Sequence, residues 1–408
     1  MLGLGSALTT GSNNEQLYSL GELDGTDDYL HIGVVPGVKG LRDITVSAWV
    51  KTNEASLGSF DRIVSCDGGT GNAIWRLFIS NHSGNKGVIW NCFNGDGDSI
   101  GLLTMSDVWG TGGNDDKWVH VVARIDASAN PKTSIFINGG TPTTGTANQS
   151  DEDMHNEAAT QLSIGAQGNG GNYWFPGFID DVAIWNVPLS NNAVDAVYNG
   201  GKPFDLNNDR GDYSNSSALV GYWRMGNGTF DDKANGVVHD AHNPGFGSEL
   251  VSSYQVTATS STSGTLDTSN TSNVIGGAGS DIKFTNDSGN ENGIVGTAMD
   301  LVLGKTYQYS FSYKVNNGTL RFKIADSGTV TGGTNATGNG ANDNLTSATD
   351  AVYSFAFRYT DANQTNYMTW FGNNGVDFQI SNVTCRELNG FPGLTQAAAT
   401  FSADTPDD

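Results

Sequence analysis

Residues 173–185 read Y-W-F-P-G-F-I-D-D-V-A-I-W, nearly all aromatic or aliphatic except for two adjacent carboxylates, Asp180 and Asp181. Strict alternation puts Phe178, Asp180, Val182 and Ile184 on one face and Ile179, Asp181, Ala183 and Trp185 on the other. Both faces are then mostly apolar, as in a strand buried on two sides or one bent by a bulge. A carboxylate in such a strand is costly unless a metal, an Arg or backbone N–H groups pair with it. This stretch therefore demands a layered β structure around it.

The rest of the chain agrees. Short runs of β-branched and aromatic residues alternate with turn signals: I-T-V-S-A-W-V at 44–50, W-V-H-V-V-A-R-I at 118–125, S-I-F-I-N at 134–138. Low charge (15%), 55 Gly and nine Trp fit short strands, tight turns and aromatic cores rather than disorder. At 408 residues, one core is too few and two large units are expected. The first runs over 18–230, the second over 251–390, with a linker at 231–250, an arm at 1–17 and a tail at 391–408 that extends or pairs only on assembly. The first holds one short helix, L-S-N-N-A-V-D-A-V-Y-N-G-G-K-P, with Ser190 as N-cap and Gly200 or Gly201 as stop. In the second, T-Y-Q-Y-S-F-S-Y-K-V at 306–315 and L-R-F-K-I at 320–324 are the clearest strands, and 332–344 reads as a Gly/Asn surface loop.

The formal net charge of −23 argues against nucleic acid and against an anionic membrane surface. It leaves two readings, a soluble acidic surface and Asp-rich loops that hold Ca²⁺. Three cysteines make no disulfide framework. Cys66 and Cys92 fall on the first and third strands of a meander, ~9–10 Å apart and too far to bond. Free thiols suggest folding in a reducing cytoplasm, and the start M-L-G-L-G-S-A-L-T-T-G lacks the basic region of a signal peptide.

Six motifs in order, L-D-G-T-D-D-Y-L, I-T-V-S-A-W-V-K-T, W-V-H-V-V-A, I-F-I-N-G, G-F-I-D-D-V-A-I-W-N and G-Y-W-R-M-G, resemble laminin-G-like domains of the concanavalin A-like lectin/glucanase superfamily. The later unit, with Y-Q-Y-S-F-S-Y-K-V and F-Q-I-S-N-V-T-C-R-E-L, is similar to carbohydrate-binding jelly rolls of the galactose-binding-like type. The fold class implied is all-β, two tandem jelly-roll β-sandwiches with one short helix in the first. The pairing of modules resembles virion proteins of marine tailed phages. That resemblance implies a non-enzymatic capsid decoration, head fibre or tail component, made in the host cytoplasm and present in symmetry-related or homo-oligomeric copies. Its partners would be other virion proteins and host-surface glycans; the alternative is a free glycan-binding adhesin or enzyme-accessory module.

The laminin-G resemblance also implies a structural Ca²⁺ where the first strand meets the late G-x-I-D-D strand. The matching candidates are Asp24 and the Gly25 carbonyl with Asp180 or Asp181. A second acidic run, D-L-N-N-D-R-G-D at 205–212, begins like an EF-hand loop but has Arg210 and Ser216 where Gly and Glu are needed, and reads as a solvated loop. Superfamily glycosidases carry paired carboxylates in an E-x-D-x-x-E or E-x-D-x-E strand, and none is present; D-E-D-M-H-N-E at 151–157 has the wrong spacing. The chain is therefore expected not to be an enzyme. For stacking on sugar faces the candidates are Trp109, Tyr173 and Trp174 in the first unit and Trp370 in the second, each weighed against a place in the core.

Overall fold

The structure, a computed structural model, describes residues 18–68, 73–82, 85–146, 150–168, 170–251, 265–267, 282–286, 291–326, 344–360 and 365–406. The expected arm at 1–17 and most of the Gly/Asn loop at 332–344 lie outside them.

The first unit begins with β1 (Ser19–Asp24), β2 (Tyr29–Gly33), β3 (Ile44–Thr52), β4 (Asp61–Asp67), β5 (Ala73–His82), β6 (Asn85–Phe93) and β7 (Ser99–Met105). It continues with β8 (Lys117–Ile125), β9 (Thr133–Ile137), β10 (Thr143–Thr144), β11 (Leu162–Ile164), β12 (Pro176–Trp185), α1 (Asn191–Tyr198), β13 (Leu219–Trp223) and β14 (Val237–Val238). Next come β15 (Phe246–Glu249), β16 (Thr265–Asp267), β17 (Ile282–Thr285), β18 (Asn292–Asp300), β19 (Thr306–Asn317), β20 (Arg321–Ala325), β21 (Ala351–Arg358), β22 (Thr365–Gly372) and β23 (Asp377–Leu388). The last two strands are β24 (Gly393–Gln396) and β25 (Thr400–Ser402).

The paired strands are antiparallel throughout, and the chain is an all-β protein of sandwiches, as expected. One sheet of the first unit runs β10-β9-β8-β3-β12-β1-β25 with β13 also on β12, and its partner runs β14-β24-β2-β11-β4-β5-β6-β7. The second unit has a sheet β16-β17-β23-β19-β21, with β15 on β23, and a small sheet β18-β22-β20. The stretch at 391–408 is a correction. Instead of waiting for assembly, β25 pairs with β1 and β24 pairs with β2 and β14, so the last strands satisfy edge backbone groups of the first sandwich. In sequence, the second sandwich therefore lies between strands of the first. The 231–250 stretch is likewise more than a linker, since it supplies β14 and β15.

The opening stretch, β12, is buried on both faces and also bulged. Ile179, Val182 and Ile184 join the core between the two sheets, while Ala183 and Trp185 face a second cluster with Leu189, Val194, Val197 and Tyr222. Simple alternation would separate Ile179 from Val182. The register against β3 slips between Asp180 and Ala183, and Asp181 takes a φ of 41°, which shifts the phase by one residue. Helix α1 covers the outer cluster. Its N-cap is Ser190, whose Oγ accepts from the Ala193 N–H at 3.1 Å, but the stop is Asn199 in the left-handed region rather than a glycine.

Cys66 and Cys92 each sit opposite Trp75 on β5, two strand spacings apart, and all three cysteines are buried and free. Burial pushes the Cys66 thiol up to about 12, which makes it a poor nucleophile.

Candidate functional site

Two loops of the first sandwich hold large rings in water. Phe60, just before β4, is 43% exposed, and Tyr173, before β12, is 41% exposed. Their ring centres are 5.8 Å apart, edge to face. Both residues have positive φ, 71° for Phe60 and 59° for Tyr173. A bulky side chain in that region costs about 1–2 kcal/mol, so the surroundings must impose it.

Arg62 imposes it. Its side chain is buried, with the guanidinium 4.5 Å from the Tyr173 ring centre and 4.7 Å from that of Phe78. Nη1 donates to the Phe60 carbonyl at 2.8 Å, and the Arg62 backbone N–H donates to the Tyr173 carbonyl at 2.9 Å. Asp67, fully buried on β4, balances the charge through Arg62 at 3.5 Å and Arg76 at 2.7 Å. Burial, and then Arg76, lower the Arg62 pKa to about 10, so it stays cationic at neutral pH. Next to it, burial raises the Asp61 carboxyl to about 6, against a hydrogen bond from the Gly58 N–H and the charges of Lys86 and Arg62. Trp174 completes the loop, half-buried, with its Nε1 donating to the Gly170 carbonyl at 3.2 Å.

A cleft of about 460 Å³ is lined by Asn53 and Ser56 of the Phe60 loop, by Pro176, Gly177 and Phe178 at the start of β12, and by Asp24, Lys51 and Asp116. Asn53 donates to Asp116 at 2.8 Å. Polar side chains and aromatic loops around one cleft can take a ligand with apolar faces and hydroxyl edges.

The expected calcium set does not converge. Asp24 sits opposite Pro176 on β12, four residues from Asp180 and about 13 Å away at 3.3 Å per residue. The carboxylates of β12 are satisfied otherwise. Asp180 accepts from the Asp181 N–H at 2.8 Å, and Asp181 accepts from the Tyr222 hydroxyl at 2.6 Å and lies 3.5 Å from Arg224. Burial, then Asp181, raise the Tyr222 pKa well above its ordinary value. Burial alone would lower that of Arg224, but Tyr222, Asp181 and Asp205 more than offset it. Asp24 instead meets Asp27 and Asp28 in the turn after β1, with one carboxylate oxygen of each within 4.8 Å of the others. Asp28 is already engaged, accepting from the Asp24 N–H at 3.3 Å and the Ala398 N–H at 2.8 Å.

Of the four aromatic candidates, two are core. Trp109 is 1% exposed within the first sandwich, and Trp370 is 1% exposed against Phe311 and Phe322 in the second. Neither can stack on a ligand. Sequence reasoning missed Phe60 and Arg62. The available signal was a phenylalanine in the small-residue turn L-G-S-F-D-R, where packing offers no reason for a ring.

Among the described residues, no helix is long and apolar enough to cross a membrane. The model of the concanavalin A-like lectin/glucanases superfamily matches residues 24–195, under half of the 408. No curated protein matches the chain. Among solved structures, it is similar to the CBM40 of Ruminococcus gnavus IT-sialidase bound to α2,3-sialyllactose, at 20% identity, covering 45% of this chain and 98% of that one, with a TM-score of 0.33. It is also similar to a putative carbohydrate binding protein from Bacteroides ovatus, at 16% identity, 55% and 56% coverage and a TM-score of 0.38. A third is tailspike protein 2 of an Escherichia coli O157:H7 bacteriophage, at 13% identity, 53% and 31% coverage and a TM-score of 0.33. Overlaps of this size decide neither ligand nor assembly for this chain. The matched stretch and the two facing sheets together give residues 24–195 a lectin-like jelly roll similar to the concanavalin A-like superfamily.

Proposed function

We propose that the first sandwich binds a glycan on the Phe60–Tyr173 platform and the adjoining cleft, and that the chain is a non-enzymatic virion component. The observation that carries the glycan reading is the pair of exposed rings, each in a strained backbone state and both fixed by a buried arginine. Rings held at that cost, packed on one side by Arg62 and Phe78 and open to water on the other, fit a surface for sugar C–H faces. The superfamily's lectin name supports the same ligand class. Single contacts of this kind are weak, and repeated copies on a particle would make them useful through avidity. Buried, unpaired thiols fit a protein that folds in the host cytoplasm before assembly. A structural Ca²⁺ in this reading goes to Asp24, Asp27 and Asp28, which offer the hard oxygen ligands it needs.

The glycan reading is tested on a glycan array with the intact chain presented as multivalent copies. Retention of a defined glycan set supports it, and a blank array with folded protein removes it. Antibody-gold electron microscopy of purified particles tests the virion reading separately: labelled heads or tails support it. Unlabelled particles, with an antiserum that recognises the protein, leave the free adhesin. Chelation tests the metal. A melting temperature unchanged by EGTA discards calcium.

A further inference from the structure

A second cavity lies away from the platform, where the chain passes from β13 of the first sandwich to β15, which pairs with β23 of the second. It encloses about 180 Å³ and is lined by Asp205, Asn207, Arg224, Thr229, His239 and Pro244 among others. The 205–212 run, expected as a plain solvated loop, thus contributes two of its walls. His239 is 1% exposed, and its Nδ1 finds no hydrogen-bond partner among the described residues. The ring and that nitrogen are closed to solvent, so His239 lies beneath the cavity surface and reports on it without offering a ligand a hydrogen bond.

Two rings flank the same histidine. Phe230 and Phe246 are 40% and 36% exposed, meet edge to face at 5.9 Å, and lie 5.8 Å and 5.5 Å from the His239 ring. Polar groups line the inside and exposed aromatic surface sits next to it.

We infer that this cavity is a ligand site for a single uncharged sugar ring, separate from the Phe60–Tyr173 platform. Charge disfavours an anion. The Arg224 guanidinium already answers to Asp181, Asp205 and Asp180, so an anion would meet a net negative surround. For a divalent cation, the cavity lacks a cluster of three ligating side chains; among the described residues only Asp24, Asp27 and Asp28 form one. Size excludes a long oligosaccharide, because the cavity is below the ~300 Å³ at which drug-sized pockets begin. A pyranose has hydroxyl edges for Asp205, Asn207 and Thr229 and a C–H face for the exposed Phe230 that follows Thr229 in the chain.

The test uses the full chain labelled with ¹³C-histidine, which gives few signals because there are six histidines. Methyl α-mannoside, methyl β-galactoside and methyl β-N-acetylglucosaminide are titrated, with calcium chloride and sodium phosphate as separate probes. At least one glycoside should move the His239 resonance, and that of His242, whose Nδ1 is 3.3 Å from Asn207 Oδ1. His120, buried in the first sandwich, should stay still. Thr229→Trp, which fills the cavity from an exposed position, should abolish the response, and Phe230→Ala should weaken it at least threefold. Tyr173→Ala should leave it intact, so failure of the platform and failure of this site are read separately. A His239 signal unmoved by every glycoside overturns the inference. So does a response that survives Thr229→Trp, or one produced by phosphate or calcium alone.

Discussion

The two sandwiches use aromatic residues in opposite ways. The second stacks Tyr309, Phe311, Phe322 and Trp370 into one interior cluster, with ring centres 4.7 to 6.4 Å apart among its neighbours. The first buries most of its tryptophans too, yet holds Phe60 and Tyr173 outside on left-handed backbone over Arg62. Aromatic content therefore does not mark a binding face. What separates the two regions is left-handed backbone under rings that stay partly open to water, which none of Tyr309, Phe311, Phe322 and Trp370 shows.

The strongest way to break this contrast is Trp370→Ala. Emptying that site should cost about 3–5 kcal/mol and lower the melting transition of the second sandwich, as calorimetry would record. The folded fraction should bind glycan as before. Weaker binding by the folded fraction would move the site into the second unit.

Acid offers a smaller effect that also separates the units. His120 packs against both Trp49 and Tyr198, shares a hydrogen bond with Ser47 at 2.7 Å, and is pushed by burial down to about 3. His31 is lowered to about 4 by burial and then by Arg358. Both fold as neutral rings. Their contribution is complete above the unfolded value near 6.5 and is lost as pH falls toward the folded values. At pH 5 the His120 loss alone is about 2 kcal/mol. No histidine lies between residues 251 and 390. Urea midpoints at pH 7 and pH 5 should thus fall for the first sandwich more than for the second, and His120→Gln should flatten the difference. Equal falls in both would show that the histidines do not govern acid stability.

The finest test concerns strain. At φ 59°, Tyr173→Gly should be about 1 kcal/mol more stable than Tyr173→Ala, because glycine escapes the left-handed penalty. Equal midpoints would mean that the loop relaxes, and the strain argument would lose its footing.

Much of the fold was legible because it is local. Alternation, turn residues and the Ser190 cap located the strands and the helix, and the mostly apolar β12 announced its two-sided burial. The resemblance carried the sandwich. What escaped was set by distant partners. Nothing around residue 400 reveals that β25 pairs with β1, and nothing near Asp181 reveals Tyr222 or Arg224. The one-residue slip at the bulge moved Ile179 to the opposite face from the one alternation assigned. Of the site, Tyr173 and Trp174 were visible from their Gly/Asn surroundings. Trp109 and Trp370 had similar surroundings and proved to be core, so neighbouring composition alone could not separate platform from interior.

The most direct test of the glycan platform is a calorimetric titration with whichever glycan the array retains, comparing the unmodified chain with Tyr173→Ala. The account predicts at least a tenfold loss of affinity, about 1.4 kcal/mol, with the rest of the fold intact by circular dichroism. An affinity unchanged by Tyr173→Ala would contradict it, and the ligand would have to be sought elsewhere on the molecule.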